Sequence, residues 1–308
     1  MHLEFEKWHG CKNDFVVAWI QRSDKDLVIP SLQRQAARIC DRSGAGVGAD
    51  GILVLVTKDR RETHPEELIV INQDGSLARN CGNGLRCAAR SALRKFAAAG
   101  TAERDMPPAI ELQVQGRVFH CKVFKASSVK GMIGVDMGDA AVAEIPPSHP
   151  AWRAAEVSFG GNGARTIYKV DVGNPHLVLL GFPLDAGKLS AFSESVQNLD
   201  GWDGINVHVA EETAADDREM TIAAKGMNIE IEQAWRAIPW ERGVGLTQAC
   251  GSGAVAIAAA ISARDDMGQN GAWTGIRMPG GQLFVQIAEK RFTLAGPAEL
   301  VFTGSVEI

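Results

Sequence analysis

The sequence lacks long hydrophobic runs and any excess of positive charge, and both absences exclude classes of protein. No segment of about 18 consecutive apolar residues is present, and no apolar leader stands before the first strand-like segment. Lys and Arg number 32 against 37 for Asp and Glu, which gives a formal net charge of -5. We therefore expect a cytoplasmic protein that binds neither membranes nor nucleic acids.

Cysteine is also scarce, with six residues in a chain of 308. No two of them have the CxxC spacing that is typical of zinc sites, so the sequence predicts no metal site. In a reducing compartment all six are expected to be free thiols. Buried packing is the simplest interpretation of Cys40, Cys87 and Cys121, because free cysteine packs like a small apolar side chain.

The order of predicted elements indicates the fold class. Many short apolar or alternating segments predict strands, including residues 219–224 and 227–236, while residues 31–42 predict a helix. The glycine-rich run at residues 43–51 precedes a strand, whereas a nucleotide-binding fingerprint must follow a strand and open a helix. The sequence therefore predicts an α+β fold with two similar halves, each a curved, mostly antiparallel sheet around one central helix.

Two cysteines stand at the start of matching turn-to-helix segments. Residues 80–87 read NCGNGLRC, and residues 249–256 read ACGSGAVA. A helix N-terminus favours a thiolate and offers unpaired N–H groups to a carboxylate. If the two termini face each other, one thiolate can remove the α-proton of a bound amino acid while the opposite thiol donates one.

Other polar residues fall at turns beside strand ends. Arg242 can pair with a second carboxylate of a ligand, and the neighbouring Glu241 can hold an ammonium group. His176 can equally be an ordinary strand-end histidine. Turn chemistry alone explains any single one of five asparagines, which are Asn13, Asn72, Asn83, Asn174 and Asn206.

Together these segments resemble the diaminopimelate epimerase family over nearly the whole chain. Besides the two cysteine segments, the resemblance is carried by residues 7–10 (KWHG), 13–15 (NDF), 46–50 (GVGAD), 72–76 (NQDGS), 173–176 (GNPH), 241–245 (ERGVG) and 278–281 (MPGG). It implies two pseudo-symmetric lobes with the active site in the cleft: residues 1–128 with a returning strand at about 297–308, and residues 129–296. It also implies a homodimer, no pyridoxal phosphate or other cofactor, and no metal.

By the same resemblance, Cys81 and Cys250 are the acid/base pair of an epimerase that interconverts LL- and meso-diaminopimelate, in lysine and peptidoglycan precursor biosynthesis. The distal amino-acid end of the substrate would be held by Asn13, Asn72, Asn174, Asn206 and Arg242. Backbone groups of Gly82, Asn83, Gly251 and Ser252 would bind the reacting α-carboxylate. His176 and Glu241 would lie near the reacting α-amino group.

Two departures from the family pattern leave the substrate open. Lys12 stands where the family usually has Gly, and Leu246 replaces a customary Glu. The nearest alternative is a paralogue with the same mechanism acting on another amino acid, such as histidine or hydroxyproline. The asparagines and Arg242 favour diaminopimelate, because they suit a second zwitterionic centre.

Two further alternatives belong to other classes of protein. One is a binding or regulatory module that keeps the fold, but binding alone does not need two thiols. The other is a thiol redox protein in which Cys81 and Cys250 form a disulfide.

Overall fold

The computed structural model describes residues 2–44, 46–59, 62–78, 81–124, 132–160, 164–197, 199, 202, 204–213, 218–265 and 270–308. The chain divides into two compact units. The first unit consists of Met1–Asp136 and Gly296–Ile308, and the second of Met137–Ala295. Both contain helices and sheets, so the predicted α+β class is confirmed.

The elements follow one another with short connections. The first unit runs through β1 (His2–Gly10), β2 (Asn13–Gln21), α1 (Lys25–Cys40), β3 (Gly51–Thr57), β4 (Glu67–Asn72), α2 (Gly82–Ala98), β5 (Ala109–Val114), β6 (Arg117–Val123) and β7 (Met132–Gly138), which crosses the boundary between the units. The second runs through β8 (Ala141–Glu144), α3 (Pro150–Phe159), β9 (Thr166–Asp171), β10 (Pro175–Leu180), α4 (Ala186–Val196), β11 (Asn206–Thr213), α5 (Arg218–Met227), β12 (Ile231–Glu241), β13 (Gly245–Leu246), α6 (Gly251–Arg264), β14 (Asn270–Met278), β15 (Gly281–Ala288) and β16 (Arg291–Pro297), which also crosses the boundary. β17 (Glu299–Glu307) belongs to the first unit again.

The first unit is organised around a five-stranded sheet with the order β17-β1-β2-β3-β4. β2 and β3 are parallel, and the other neighbours are antiparallel. Alternate side chains, such as Ile52 and Val54, pack with α1 in one core. Leu53 has the opposite orientation because side chains alternate along a strand, and its Cδ2 lies next to Gly84 of α2. The sheet therefore has a helix on each face.

The second unit is organised around α6. Its strands have the order β16-β15-β14-β12-β11-β10-β9-β8, and β13 pairs with β12. Residues 253–261 of α6 are all buried and are almost all Ala, Val or Ile. A helix that is apolar all round must be covered all round, which explains its central position. Leu177 and Leu179 of β10 pack with α3 and α4 instead.

The structure corrects three predictions of secondary structure, one in the type of element and two in the bounds. Residues 219–224 lie in α5, because Met220, Ala224 and Met227 are buried at the spacing of one helix face. For the same reason, β12 begins only at Ile231 rather than at residue 227. The predicted helix at residues 31–42 is α1, which begins at Lys25 and ends at Cys40, because buried residues lie on both sides of the exposed Pro30. No helix in these described segments is long and apolar enough to cross a membrane.

The departure at Lys12 lies in a strained turn. Cys11 and Lys12 connect β1 to β2, and both have positive φ, 53° and 64°. The β15–β16 hairpin repeats this geometry with Glu289 and Lys290, at 50° and 67°. Two-residue turns of this kind favour glycine or asparagine, because other side chains crowd the backbone when φ is positive.

Lys12→Gly should therefore stabilise the protein by about 0.5–1 kcal/mol, since relief of strain exceeds the entropy lost with glycine. The thermal midpoint of the unfolding step that includes the first unit should rise by about 1–4 °C. Lys290→Gly is the matched change in the second unit and should give a gain of the same size. A gain for Lys290→Gly but none for Lys12→Gly would show that Lys12 makes a compensating interaction.

Candidate active site

The first of the two predicted catalytic cysteines, Cys81, is the N-cap of α2. Its backbone is extended (φ -153°, ψ 93°), and its Sγ accepts a hydrogen bond from the N–H of Gly84 at 3.3 Å. A Cβ on Gly84 would lie 3.0 Å from this Sγ and 3.0 Å from Leu53 Cδ2. Glycine at this position therefore lets the thiol approach the N–H groups of the first turn, which have no acceptor within the helix. Gly82, the first residue of α2, is buried.

Asn83 is fixed by a chain of hydrogen bonds. Its Nδ2 donates to Asn13 Oδ1 at 3.0 Å, and Asn13 Nδ2 donates to Asp50 Oδ2 at 2.6 Å. Asn83 follows Cys81 by two residues, so this chain brings two predicted substrate-binding residues together near the thiol. Asp50, which orients Asn13, has no predicted role in the site.

Arg86 supports the same turn from inside the unit. It is fully buried and donates to Asn83 Oδ1 at 2.6 Å. It also donates to the carbonyls of Gly82 and Pro297, both at 3.3 Å. A planar guanidinium can serve three acceptors at once, which a lysine ammonium cannot do in the same geometry. Arg86 thereby links the first turn of α2 to the segment that leads into β17.

Asn72 and the two departures, Lys12 and Leu246, make none of these hydrogen bonds. Asn72 is exposed at the end of β4, and its Nδ2 donates to Ser76 Oγ at 2.9 Å within its own turn. Leu246 is half-exposed on β13. Lys12 lines a cavity of about 500 Å³, and no predicted site residue is among its described lining. The lining residues are Lys7, His9, Lys12, Asp14, Asp41, Arg42, Gly46, Val47, Gly48, Val301 and Phe302.

The other predicted catalytic cysteine, Cys250, is the N-cap of α6 and repeats the geometry of Cys81. Its φ and ψ are -122° and 113°, and its Sγ accepts from the N–H of Gly253 at 3.3 Å. Burial raises the pKa of this thiol well above its ordinary value, and the nearby Glu241 carboxylate raises it further. Hydrogen bonds from Ser252 and Gly253 oppose both effects. Cys250 is therefore a protonated thiol at neutral pH in the free protein.

Glu241→Gln should lower the pKa of Cys250, because it removes a negative charge from the neighbourhood of the thiolate. Gln can still accept the 2.6 Å hydrogen bond that Glu241 receives from Thr247 Oγ1. We expect Cys250 of the variant to react faster with iodoacetamide at neutral pH, with the midpoint of its pH profile moved down. Glu230→Gln makes the same change of net charge at an exposed site and should leave the profile in place. If the pH profile of Cys250 reactivity does not move in Glu241→Gln, the Glu241 carboxylate does not raise the pKa of Cys250.

Asn206 links the start of β10 to the end of β12. Its Nδ2 donates to the carbonyl of Pro175, and its Oδ1 accepts from the backbone N–H of Arg242, both at 3.1 Å. The guanidinium of Arg242 lies against Gly204, where a Cβ would be 2.3 Å from Nη1. Gly204 also has φ of 79°, so only glycine is suited to this position. These contacts bring together Asn206 and Arg242, two of the predicted substrate-binding residues.

Asn174 occupies the turn before β10. It is half-buried, it follows Gly173 (φ 98°), and its carbonyl accepts from the N–H of Val172 at 3.3 Å. These contacts fix the backbone of the turn and assign no function to the side chain.

His176 pairs with a second histidine that the sequence did not reveal as a site residue. His176 Nδ1 and His208 Nε2 are 2.8 Å apart, and both side chains are fully buried. Burial lowers the pKa of His176 to about 3 and holds the pKa of His208 well below its ordinary value, so both are neutral at neutral pH. A Cβ on Gly253 would lie 2.5 Å from His208 Cε1. The ring of His208 thus packs on the first turn of α6.

Comparison with known proteins identifies the class of enzyme to which this chain belongs. A diaminopimelate epimerase from Rhodococcus jostii is 33% identical to this chain, and the alignment covers 99% of this chain and 97% of the relative. A diaminopimelate epimerase from Corynebacterium glutamicum is 29% identical, and the alignment covers 99% of each chain. A solved hydroxyproline epimerase from Agrobacterium vitis has the same fold, with a TM-score of 0.59 at 14% identity; 99% of this chain and 91% of that one are covered. The profile of the family described as diaminopimelate epimerase matches residues 5–116 and 168–305.

The protein is accordingly an epimerase, a member of the isomerase class. The chain belongs to the diaminopimelate epimerase family.

Proposed function

We propose that this protein interconverts LL- and meso-diaminopimelate without a cofactor, using Cys81 and Cys250 as its two acid/base groups. One observation carries the proposal: each compact unit has a helix that is capped by a cysteine in the same way. Both Sγ atoms accept a hydrogen bond at 3.3 Å from the N–H of the glycine three residues later. Two-base proton transfer needs two such thiols, and the family membership supports the substrate.

In the proposed reaction, one thiolate takes the α-proton of the substrate and the other thiol supplies a proton to the opposite face. The charge of the resulting carbanion spreads into the α-carboxylate. We assign this carboxylate to backbone N–H groups of Gly82 and Asn83 and of Gly251 and Ser252, where the helix dipoles favour negative charge. Cys250 is protonated in the free protein, so it can act as the donor in the direction of the reaction in which Cys81 is the base.

We assign the distal amino-acid end of the substrate to Asn13, Asn72, Asn174, Asn206 and Arg242. The amides of Asn13 and Asn206 are each held by two internal hydrogen bonds. Each amide still keeps one N–H and one oxygen lone pair for a ligand, because an amide has two of each. His176 and Glu241 are assigned to the reacting α-amino group.

The proposal is tested by incubating freshly reduced protein with LL-diaminopimelate in D2O. Chiral chromatography would follow stereochemistry, and mass spectrometry would follow deuterium at the α-carbon. We expect deuterated meso isomer to appear. Exchange with another amino acid only, for example histidine or hydroxyproline, would favour a paralogue. Absence of exchange across the panel would favour a binding module, and activity that requires oxidised protein would favour a thiol redox role.

Two further assignments belong to this proposal. Thiol acid/base chemistry needs reduced cysteines, which the cytoplasm maintains, so we place the enzyme in that compartment, where lysine and peptidoglycan precursors are made. We also propose a homodimer, on the resemblance to the family alone. Sedimentation equilibrium would test the second assignment, and a monomer at micromolar concentration would contradict it.

A further inference from the structure

A cluster of metal-ligating side chains lies at the N-terminus of α6. His176, His208 and Cys250 each offer a ligand atom, and these atoms all lie within 4.8 Å of one another. All three side chains are buried. They come from β10, β11 and the N-cap of α6, so three rigid elements of one compact unit hold them.

The two imidazole rings are incompletely satisfied in the described structure. His176 Nδ1 and His208 Nε2 share one contact of 2.8 Å, in which a single proton is shared between two nitrogens. The remaining nitrogens, His176 Nε2 and His208 Nδ1, are buried and have no hydrogen-bond partner among the described residues. No hydrogen bond therefore fixes the proton of either ring, and when both outer nitrogens carry the protons, the two facing nitrogens each offer a lone pair to a metal ion.

The composition and spacing of the cluster suit a thiophilic divalent cation. Zinc takes imidazole nitrogen at about 2.0–2.1 Å and thiolate sulfur at about 2.3 Å, so tetrahedral ligand atoms stand roughly 3.3–3.6 Å apart. To reach this geometry, His176 Nδ1 and His208 Nε2 must move apart by about 0.5 Å, and Cys250 Sγ must move about 1 Å closer to them. Side-chain rotation can supply both movements. Glu241, which contacts the Cys250 thiol, adds a second negative charge to balance the ion.

We propose that His176, His208 and Cys250 form a binding site for Zn²⁺ or a similar thiophilic cation. Binding forms a metal–sulfur bond, and the thiol proton is released to the buffer. Three protein ligands leave a fourth position for water or a carboxylate. The ion would hold Cys250 as a metal-bound thiolate and so remove it from proton transfer; this inhibitory consequence rests on the proposed function, whereas the binding does not.

The binding test uses the full chain, reduced and freed of metal with a chelator that is then removed. Co²⁺ is added first, because a cobalt–thiolate bond gives a charge-transfer band in the near ultraviolet, and Zn²⁺ is then used to displace it. We expect one equivalent of Co²⁺ to produce the band and one equivalent of Zn²⁺ to abolish it. Readings are taken at equilibrium after long incubation, because the three ligands are buried.

Three variants locate the site. His208→Gln keeps a polar contact for His176 but removes a ligand, so the affinity for Zn²⁺ should fall by roughly tenfold or more. Cys81→Ser removes the other N-cap thiol and should keep both the cobalt band and the affinity. His120→Gln removes an exposed histidine that pairs with Glu111 and should also bind like the parent protein.

The proposal is overturned if the parent protein gives no charge-transfer band, or if His208→Gln binds as tightly as the parent. A band that disappears in Cys81→Ser would place the ion on the other cysteine, and would overturn the proposal as well. The deuterium-exchange assay in the presence of a chelator reports the proposed function separately, so either idea can fail while the other stands. With binding established, micromolar Zn²⁺ should inhibit exchange reversibly, and chelator should restore it.

Discussion

Cys81→Ser and Cys250→Ser should each abolish epimerisation, with a loss of roughly 10³- to 10⁴-fold in the rate of inversion. A serine hydroxyl is too weak an acid, and its alkoxide too inaccessible at neutral pH, to replace a thiol in proton transfer. The fold should survive, because both cysteines are N-caps and serine is a good N-cap residue. Circular dichroism and thermal unfolding would confirm that the variants are folded.

The two serine variants also separate inversion from exchange. A variant that retains one working thiol can still remove the α-proton of the epimer that this thiol faces and return a deuteron to the same side. We therefore expect deuterium to enter one epimer with retention of configuration, and a different epimer for each variant. Cys40→Ala removes a buried thiol at the C-terminus of α1 and should leave both rates unchanged. Full inversion by Cys81→Ser would disprove the two-thiol mechanism.

Arg86→Met should destabilise the first unit by about 3–5 kcal/mol and lower kcat/KM at least tenfold. The substitution fills most of the volume but removes the hydrogen bonds that the guanidinium donates to Asn83, Gly82 and Pro297. Removal of a buried charge offsets part of this cost, but the loss of three hydrogen bonds from a charged donor, at about 1.5–3 kcal/mol each, outweighs it. Chemical denaturation gives the stability, and the exchange assay gives kcat and KM.

Arg94→Met is the matched control, two turns further along α2. Arg94 is half-exposed and pairs with Glu6, and such pairs contribute under about 1 kcal/mol. Arg94→Met should therefore leave the kinetics of deuterium exchange unchanged. If Arg86→Met proved as stable and as active as Arg94→Met, the buried guanidinium would not be what holds the first turn of α2.

The sequence was sufficient for the parts of the structure that depend on local chemistry. Glycine next to cysteine, followed by alanine-rich residues, predicted both capped helices, α2 and α6, because turn and helix preferences act over a few residues. α3 was missed although Pro150 stands at its first position and Ala151, Ala155 and Phe159 are buried at helical spacing. The run of alanines with Arg153 and Glu156 also favours a helix, so this signal was present in the sequence and was overlooked.

The contacts between distant residues were beyond the sequence. His208 belongs to no motif, and only the register of β10 with β11 brings it to His176. A search for the CxxC spacing of zinc sites could not find a cluster whose members come from three separate elements. Arg86 was visible inside the first cysteine segment, but its burial and its bond to Pro297 depend on the return of the chain. Such placements follow from topology.

The first unit is built from two segments that are far apart in the sequence, and this affects how the protein folds during synthesis. β17 pairs with β1 from Glu299 opposite His9 to Glu307 opposite His2. The N-terminus of a nascent chain leaves the ribosome first, so β1 emerges early. The edge of β1 that pairs with β17 stays unpaired until the whole second unit has been synthesised. The second unit, whose residues are contiguous, is complete sooner. The nascent chain can therefore finish folding its middle before its beginning.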